Sequence, residues 1–225
     1  MGYPVVSHEW IERDKVAGGE LYKHLCHRRK RYRKRYGSQE RRGRIIDRVG
    51  IEERSAVVDE RSRLGDWEGD TVRGKGRSAL VTLVERKSLQ VVIQKVDRAT
   101  AEQTAAAITK RLGAVAEQVA TITFDNGKEF AYHKQIAEVL GCDVYFARPY
   151  YSWERGTNEN MNGLIRQYFP KGTDFDQVTD EESAAVERKL NMRPRKQLGY
   201  RPPIEVFYSG LQRRDVATGG VVVIG

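Results

Sequence analysis

Two cysteines, Cys26 and Cys142, are all that the 225 residues carry. That number excludes a disulfide framework and suits a reducing, cytoplasmic setting. No apolar run approaches the roughly 18 residues a membrane span requires, and the first residues lack a secretory-signal pattern. A membrane partner is therefore not expected. Nor is a zinc site: His24, Cys26 and His27 cluster, but no second ligand pair follows at a workable spacing. Net charge is missing from most of the chain as well. Residues 20–49 hold 12 Lys/Arg against 3 Asp/Glu, whereas the remainder holds 28 of each sign, so one arm carries the whole excess of +9.

What is present begins with that arm, ELYKHLCHRRKRYRKRYGSQERRGRIIDRV. Arg28, Arg29, Lys30, Arg31, Arg33, Lys34 and Arg35 can neutralise phosphates, and the interleaved Tyr22, Tyr32 and Tyr36 can stack or pack on sugars. A polyanion partner follows from this concentration of charge. The length accommodates one main core plus the arm. We divide the chain into an N-terminal piece (1–19, ended by Gly18–Gly19), a basic arm and charged linker (20–65), a core (66–207) and a tail (208–225).

In the core, strand patterns cover 66–72, 79–85 and 89–96, joined by the turns GKGRS and RKS, which predicts a three-stranded antiparallel meander. Thr100 and Gln103 form a capping box that opens a helix over 101–112, closed at Gly113. A fourth strand over 119–124, a helix over 133–140 stopped by Gly141, and a fifth strand over 143–147 follow. The next helix carries an apolar stripe of Met161, Leu164, Ile165 and Tyr168, and sets Glu159, Asn162 and Arg166 on the opposite face. The order β-β-β-α-β-α-β-α is that of an α/β, RNase H-like fold with a mixed five-stranded sheet. Element order predicts a fold, not a reaction.

Three carboxylates fall at element ends: Asp70 on the first strand, Asp125 after the fourth, and Glu159 on the helix after the fifth, with 33 residues between the last two. In such a sheet the first and fourth strands are neighbours, so Asp70 and Asp125 should lie side by side, with Glu159 brought over them. Converging carboxylates repel and raise one another's pKa. Divalent cations with oxygen ligands, Mg²⁺ above all, relieve that repulsion. Two such ions can activate an attacking oxygen and stabilise a leaving one in phosphodiester displacement. Asp66 and Glu68 share strand parity with Asp70, so period alone does not choose among the three.

The motifs RSRLGDWEGDTV, TLVERKS, TFDNGKEF, YFARPYYSWERGTNENMNGLIRQYFPKGTDF and LNMRPRKQLGYRPPIEVF are similar to those of the insertion sequence 30 family of bacterial transposases. The resemblance runs from about residue 18 to residue 207. It implies an integrase-like DDE catalytic core and carries Asp70, Asp125 and Glu159 over as the triad. It further implies Mg²⁺ (or Mn²⁺) chemistry: hydrolytic nicking at transposon ends, then attack of the freed 3′-hydroxyl on target DNA. The partners implied are double-stranded DNA, as terminal inverted repeats and target, and further copies of the chain on that DNA. A bacterial, nucleoid-associated location goes with them. Lys128 and Asn126 would stand near the scissile phosphate or merely build the turn. Asn162 and Arg166 would face DNA, with a Glu159–Arg166 contact within the helix as the alternative, while Arg148, Tyr150, Tyr151 and Trp153 would grip it from the preceding loop unless Trp153 packs in the core. The family's N-terminal helix-turn-helix region has no counterpart here, and the tail after Phe207 departs from the family pattern, so a truncated chain is expected. Two rival readings remain: a catalytically idle DNA-binding fragment that interferes with full-length enzyme, and an RNase H-type nuclease.

Overall fold

The computed structural model describes residues 8–21, 45–148 and 151–218. The chain divides into two compact units, Met1–Arg41 and Arg42–Gly225. In the first, helix α1 (His8–Val16) ends before Gly18, whose φ of 84° lies in the left-handed region open to glycine.

The second unit is built on one sheet. A short helix α2 (Val57–Glu60) precedes strands β1 (Asp66–Arg73), β2 (Ala79–Glu85) and β3 (Val91–Val96). Then follow α3 (Ala101–Leu112), β4 (Thr121–Phe124), α4 (His133–Leu140), β5 (Asp143–Phe146), α5 (Gly156–Tyr168), α6 (Asp180–Met192) and α7 (Pro203–Thr218). The strand order is β3-β2-β1-β4-β5. β1, β2 and β3 pair antiparallel, and β4 pairs parallel with both β1 and β5. This is the mixed five-stranded sheet of the RNase H-like fold.

Alternation along the strands divides the core into two layers. Trp67, Leu83, Ile122, Phe124 and Phe146 pack with Ile108, Leu112, Ile136 and Phe207 on one face. Val72, Val84 and Ile93 pack with Met161, Ile165, Val186 and Leu190 on the other. Helices thus cover both faces, so β2 reads as a fully buried apolar run.

Side chains close the β3 edge of the sheet, and backbone pairing covers part of the β5 edge. On β3, the Val91 N–H donates to Asn191 Oδ1 and Asn191 Nδ2 donates to the Val91 carbonyl, each at 2.8 Å. The Ile93 N–H donates to Glu187 Oε2 at 2.7 Å. An edge whose polar groups are satisfied this way is no template for a foreign strand. At β5, the Phe146 N–H donates to the Val49 carbonyl at 2.9 Å. Residues 45–65 are packed rather than extended away: Ile45, Val58 and Leu64 are buried.

Several boundaries differ from the sequence expectation. β3 starts at Val91, not residue 89, because Leu89 sits at a φ of 61° inside a turn gathered around Glu85. That carboxylate accepts from the Lys87 and Ser88 N–H groups, the Ser88 hydroxyl and the Gly65 N–H. β4 starts at Thr121, since the Ala120 N–H is spent on the Gly65 carbonyl. Gly113 does not close α3 in a left-handed turn; its φ of −56° leads into a 3-10 helix, Gly113–Gln118. The Thr100 hydroxyl caps the Gln103 N–H, but Gln103 Oε1 accepts from the Arg98 N–H instead of completing the box. Tyr168 leaves the apolar stripe of α5: its ring is exposed, with Lys189 Nζ 5.7 Å from its centroid. α7 runs past Phe207, and Leu211 is buried in the core. Among the described residues no helix is long and apolar enough to cross a membrane.

Candidate active site

Parallel pairing of β1 with β4 sets Glu68 opposite Thr123. Two residues further in that register, just past the end of β4, Asp70 comes beside Asp125. Gly69, between Glu68 and Asp70, lies on the other face against the Phe124 ring.

Sharing a face does not give the three acids of β1 one role. Asp66 is fully buried and is held by Arg63 at 2.9 and 3.0 Å and by the Thr121 hydroxyl at 2.8 Å. Glu68, also fully buried, pairs with Arg86 and accepts the Asn158 N–H at 2.8 Å. Arg86 in turn reaches the Val58 carbonyl at 3.1 Å and Asp59 at 3.4 Å. Both inner acids are committed to the framework. Asp70, at the mouth, keeps 21% of its side chain exposed.

Asp70 is closely surrounded. Its Oδ1 accepts the Thr71 N–H at 2.7 Å, and its Oδ2 accepts from Asn162 Nδ2 at 3.0 Å and from the Arg155 guanidinium at 3.2 Å. The same guanidinium lies 3.8 Å from Asp125 Oδ2. Asp125 Oδ1 accepts the Gly127 N–H at 2.9 Å. Burial pushes the Asp70 carboxyl above the usual carboxylate range, Arg155 opposes that shift, and the neighbouring Asp125 charge adds to it. One cation therefore serves two adjacent carboxylates.

Helix α5 supplies the third side. Met161 and Ile165 anchor it in the core, while Asn162, on the sheet-facing polar side, also has its Oδ1 3.4 Å from the Thr82 hydroxyl. Glu159 is exposed, three residues before Asn162 and four after Arg155, so one residue of α5 and the residue just before that helix, both close to Glu159 in sequence, touch Asp70. Among the described residues, no group of three or more His, Cys, Asp or Glu is placed to hold a metal ion. The donor set nevertheless fits a divalent cation: two adjacent carboxylates sharing one positive charge, all-oxygen, as Mg²⁺ and Mn²⁺ prefer.

Other candidate residues are engaged differently. Asn126 Nδ2 donates to the Ala147 carbonyl at 2.6 Å and its Oδ1 accepts from Arg48, so its amide builds the turn. Lys128 is exposed. Arg166 donates to the Arg73 carbonyl at 2.6 Å and lies 3.5 Å from the carbonyls of Phe169 and Pro170. Arg148 pairs with Glu154 at 2.5 Å and stacks over Tyr151 at 4.5 Å. Beyond the acids, Glu129 accepts from the Thr71 hydroxyl at 2.7 Å and from Arg73 at 3.0 Å. Arg28, Arg29, Lys30, Arg31, Arg33, Lys34 and Arg35, the arm tyrosines, the His24–His27 cluster and Tyr150 lie outside the described residues, as does the side chain of Trp153. Arg155 escaped the sequence reading. Its signal was present, a cation four residues before Glu159 in WERGTNEN, but helical periodicity does not single out a residue that precedes the helix.

Residues 61–152 match the family described as integrase core domain. The catalytic core domain of BIV integrase superposes with a TM-score of 0.50 at 22% identity, over 67% of this chain and 97% of that one, a likeness of fold. Three transposases are nearer in sequence. The transposase for insertion sequence element IS4351 of Bacteroides fragilis is 46% identical over 221 residues, covering 96% of this chain and 68% of that protein. The transposase for IS1086 of Cupriavidus metallidurans is 43% identical, over 90% of this chain and 62% of its own length. Transposase InsI for IS30A of Escherichia coli is 42% identical, over 76% of this chain and 45% of its own length. On that identity and coverage, the chain belongs to the insertion sequence 30 family of transposases.

Proposed function

We propose that this chain carries the catalytic core of DNA transposition, cutting DNA at insertion-sequence ends and joining the freed 3′-hydroxyl to target DNA. The observation that carries the reading is the pair Asp70 and Asp125 around a single cation, with Asn162 of the Glu159 helix bonded to Asp70. Asp70 and Asp125 would hold Mg²⁺ or Mn²⁺, with Glu159 supplying the third carboxylate. When bound, a pair of such ions activates the attacking oxygen and offsets charge on the leaving one.

The chain's own residues prepare that site. The Thr71 and Gly127 N–H groups each fix one oxygen of an aspartate, leaving the second oxygen of each toward the shared cation. Asn162 orients Asp70 without adding charge. Asp66 and Glu68, neutralised by Arg63 and Arg86, keep further negative charge away from the DNA phosphates. The arm over residues 20–49, with its local excess of positive charge, would supply salt-sensitive phosphate contacts on duplex DNA.

The test is a Mn²⁺-dependent nicking and strand-transfer assay on duplexes carrying element ends, run beside Glu159→Gln. Metal-dependent product from the unaltered chain, reduced to background in the variant with DNA affinity kept, is the expected result. Cleavage retained by the variant refutes the triad. No product from either protein, with tight salt-sensitive binding by both, would instead identify a fragment that only holds DNA.

A further inference from the structure

The start of α5 is held in an arrangement that its own hydrogen bonding does not favour. Arg155 closes the 3-10 helix Ser152–Arg155 at φ −125° and ψ 41°, outside helical geometry. Directly after it, the Thr157 hydroxyl and both polar atoms of the Asn158 side chain are buried without hydrogen-bond partners. Buried polar groups are normally satisfied; here two contacts outside the helix hold the turn instead. The Asn158 N–H donates to Glu68 Oε2 at 2.8 Å, and the Arg155 guanidinium, 15% exposed, lies 3.2 Å from Asp70 and 3.8 Å from Asp125.

We propose that Arg155 is the resident cation of this site, a positioning residue that the divalent ions must displace, so that filling the site is coupled to resettling the first turn of α5. The inference rests on reading Asp70 and Asp125 as metal-holding residues. A planar guanidinium with several donors suits the task of spanning two carboxylates. It bonds Asp70 through Oδ2 and lies nearest Asp125 through Oδ2, the two oxygens left by the Thr71 and Gly127 N–H groups and therefore those an incoming ion would take. Release of Arg155 frees the backbone that begins α5, four residues before Glu159, and lets Thr157 and Asn158 find partners. Arrival of the ions and placement of the third carboxylate thus become one event.

The experiment is direct Mn²⁺ titration of the full chain, by calorimetry or by the spin-resonance signal of unbound Mn²⁺, for the unaltered protein, Arg155→Gln, Arg155→Lys and Asp70→Asn. If the occupied arrangement leaves about a tenth of molecules competent, removing the guanidinium tightens apparent affinity about tenfold. Arg155→Lys, which keeps the charge but not the fork that spans both carboxylates, should fall between the unaltered protein and Arg155→Gln, and Asp70→Asn should bind much more weakly. Arg155→Gln binding no tighter, while Asp70→Asn still loses Mn²⁺, overturns the inference and leaves the metal reading standing. Undiminished binding by Asp70→Asn removes both. Should Arg155→Gln fail to fold, hydrogen exchange on the unaltered chain decides: altered protection of the amides at 155–160 on Mn²⁺ addition is expected, and unchanged protection refutes it.

Discussion

Gly69 offers a sharp test of how β1 is seated. Its backbone is ordinary strand, so alanine is conformationally allowed there, and by itself that change would stabilise by about 0.5–1 kcal/mol. The obstacle is on the core side. A Cβ at this position would stand 2.4 and 2.6 Å from two Phe124 ring carbons and 3.3 Å from Leu83 Cδ2. Carbon contacts settle near 3.5–4.0 Å, so the ring would have to move by about 1 Å. Phe124 is fully buried, stacked on Phe130 at 4.3 Å between centroids and packed against Phe146 at 6.1 Å, which leaves it little room to turn away. Overpacking of such a core costs about 1–3 kcal/mol, so a net loss of about 1 kcal/mol is expected after the backbone gain. In a domain of this size that lowers the thermal midpoint by about 2–4 °C. Urea and thermal unfolding of Gly69→Ala, Phe124→Leu and the double variant would measure it. The double variant should cost less than the sum, by more than about 0.5 kcal/mol, because the smaller side chain makes room for the new methyl. A Gly69→Ala protein as stable as the unaltered chain would refute the packing argument.

Two further expectations follow from the buried charges. Arg86→Met leaves Glu68 buried and without its ion-pair partner, a change expected to cost about 3–5 kcal/mol, and Glu68→Gln in the same chain should recover much of it; a loss under about 1 kcal/mol in urea would show the pair to be dispensable. Glu85 has its pKa raised above the ordinary 4.5 because burial outweighs the hydrogen bonds from Ser88, Lys87 and Gly65. A folded state that holds the proton more tightly than the unfolded one loses stability as pH rises from about 4.5 through the raised value. Glu85→Gln should flatten that fall in stability measured by denaturant titration across pH 4 to 7, and an unchanged slope would exclude Glu85 as its source.

Much of this protein was legible in its residues because the signals were local. The run ALVTLVE has the length and β-branched content of a buried strand, and β2 covers those residues. Gly141 ends α4 at a φ of 62°, as a glycine after an amphipathic run should. Thr179 with Glu182 forms a full capping box at the start of α6, a local signal as plain as Thr100 with Gln103. What local pattern could not do was rank Asp66, Glu68 and Asp70, which share one strand and one parity.

Only the tertiary structure separated those three. Arg63 and Thr121 close on Asp66 and Arg86 and Asn158 close on Glu68, leaving Asp70 at the mouth beside Asp125. The same holds for Arg155, whose two carboxylate neighbours lie 85 residues and 30 residues away along the chain. Periodicity records which face of an element is apolar, since burial acts on each element separately. Which charges meet is decided by strand register and helix placement, and those are properties of the whole fold.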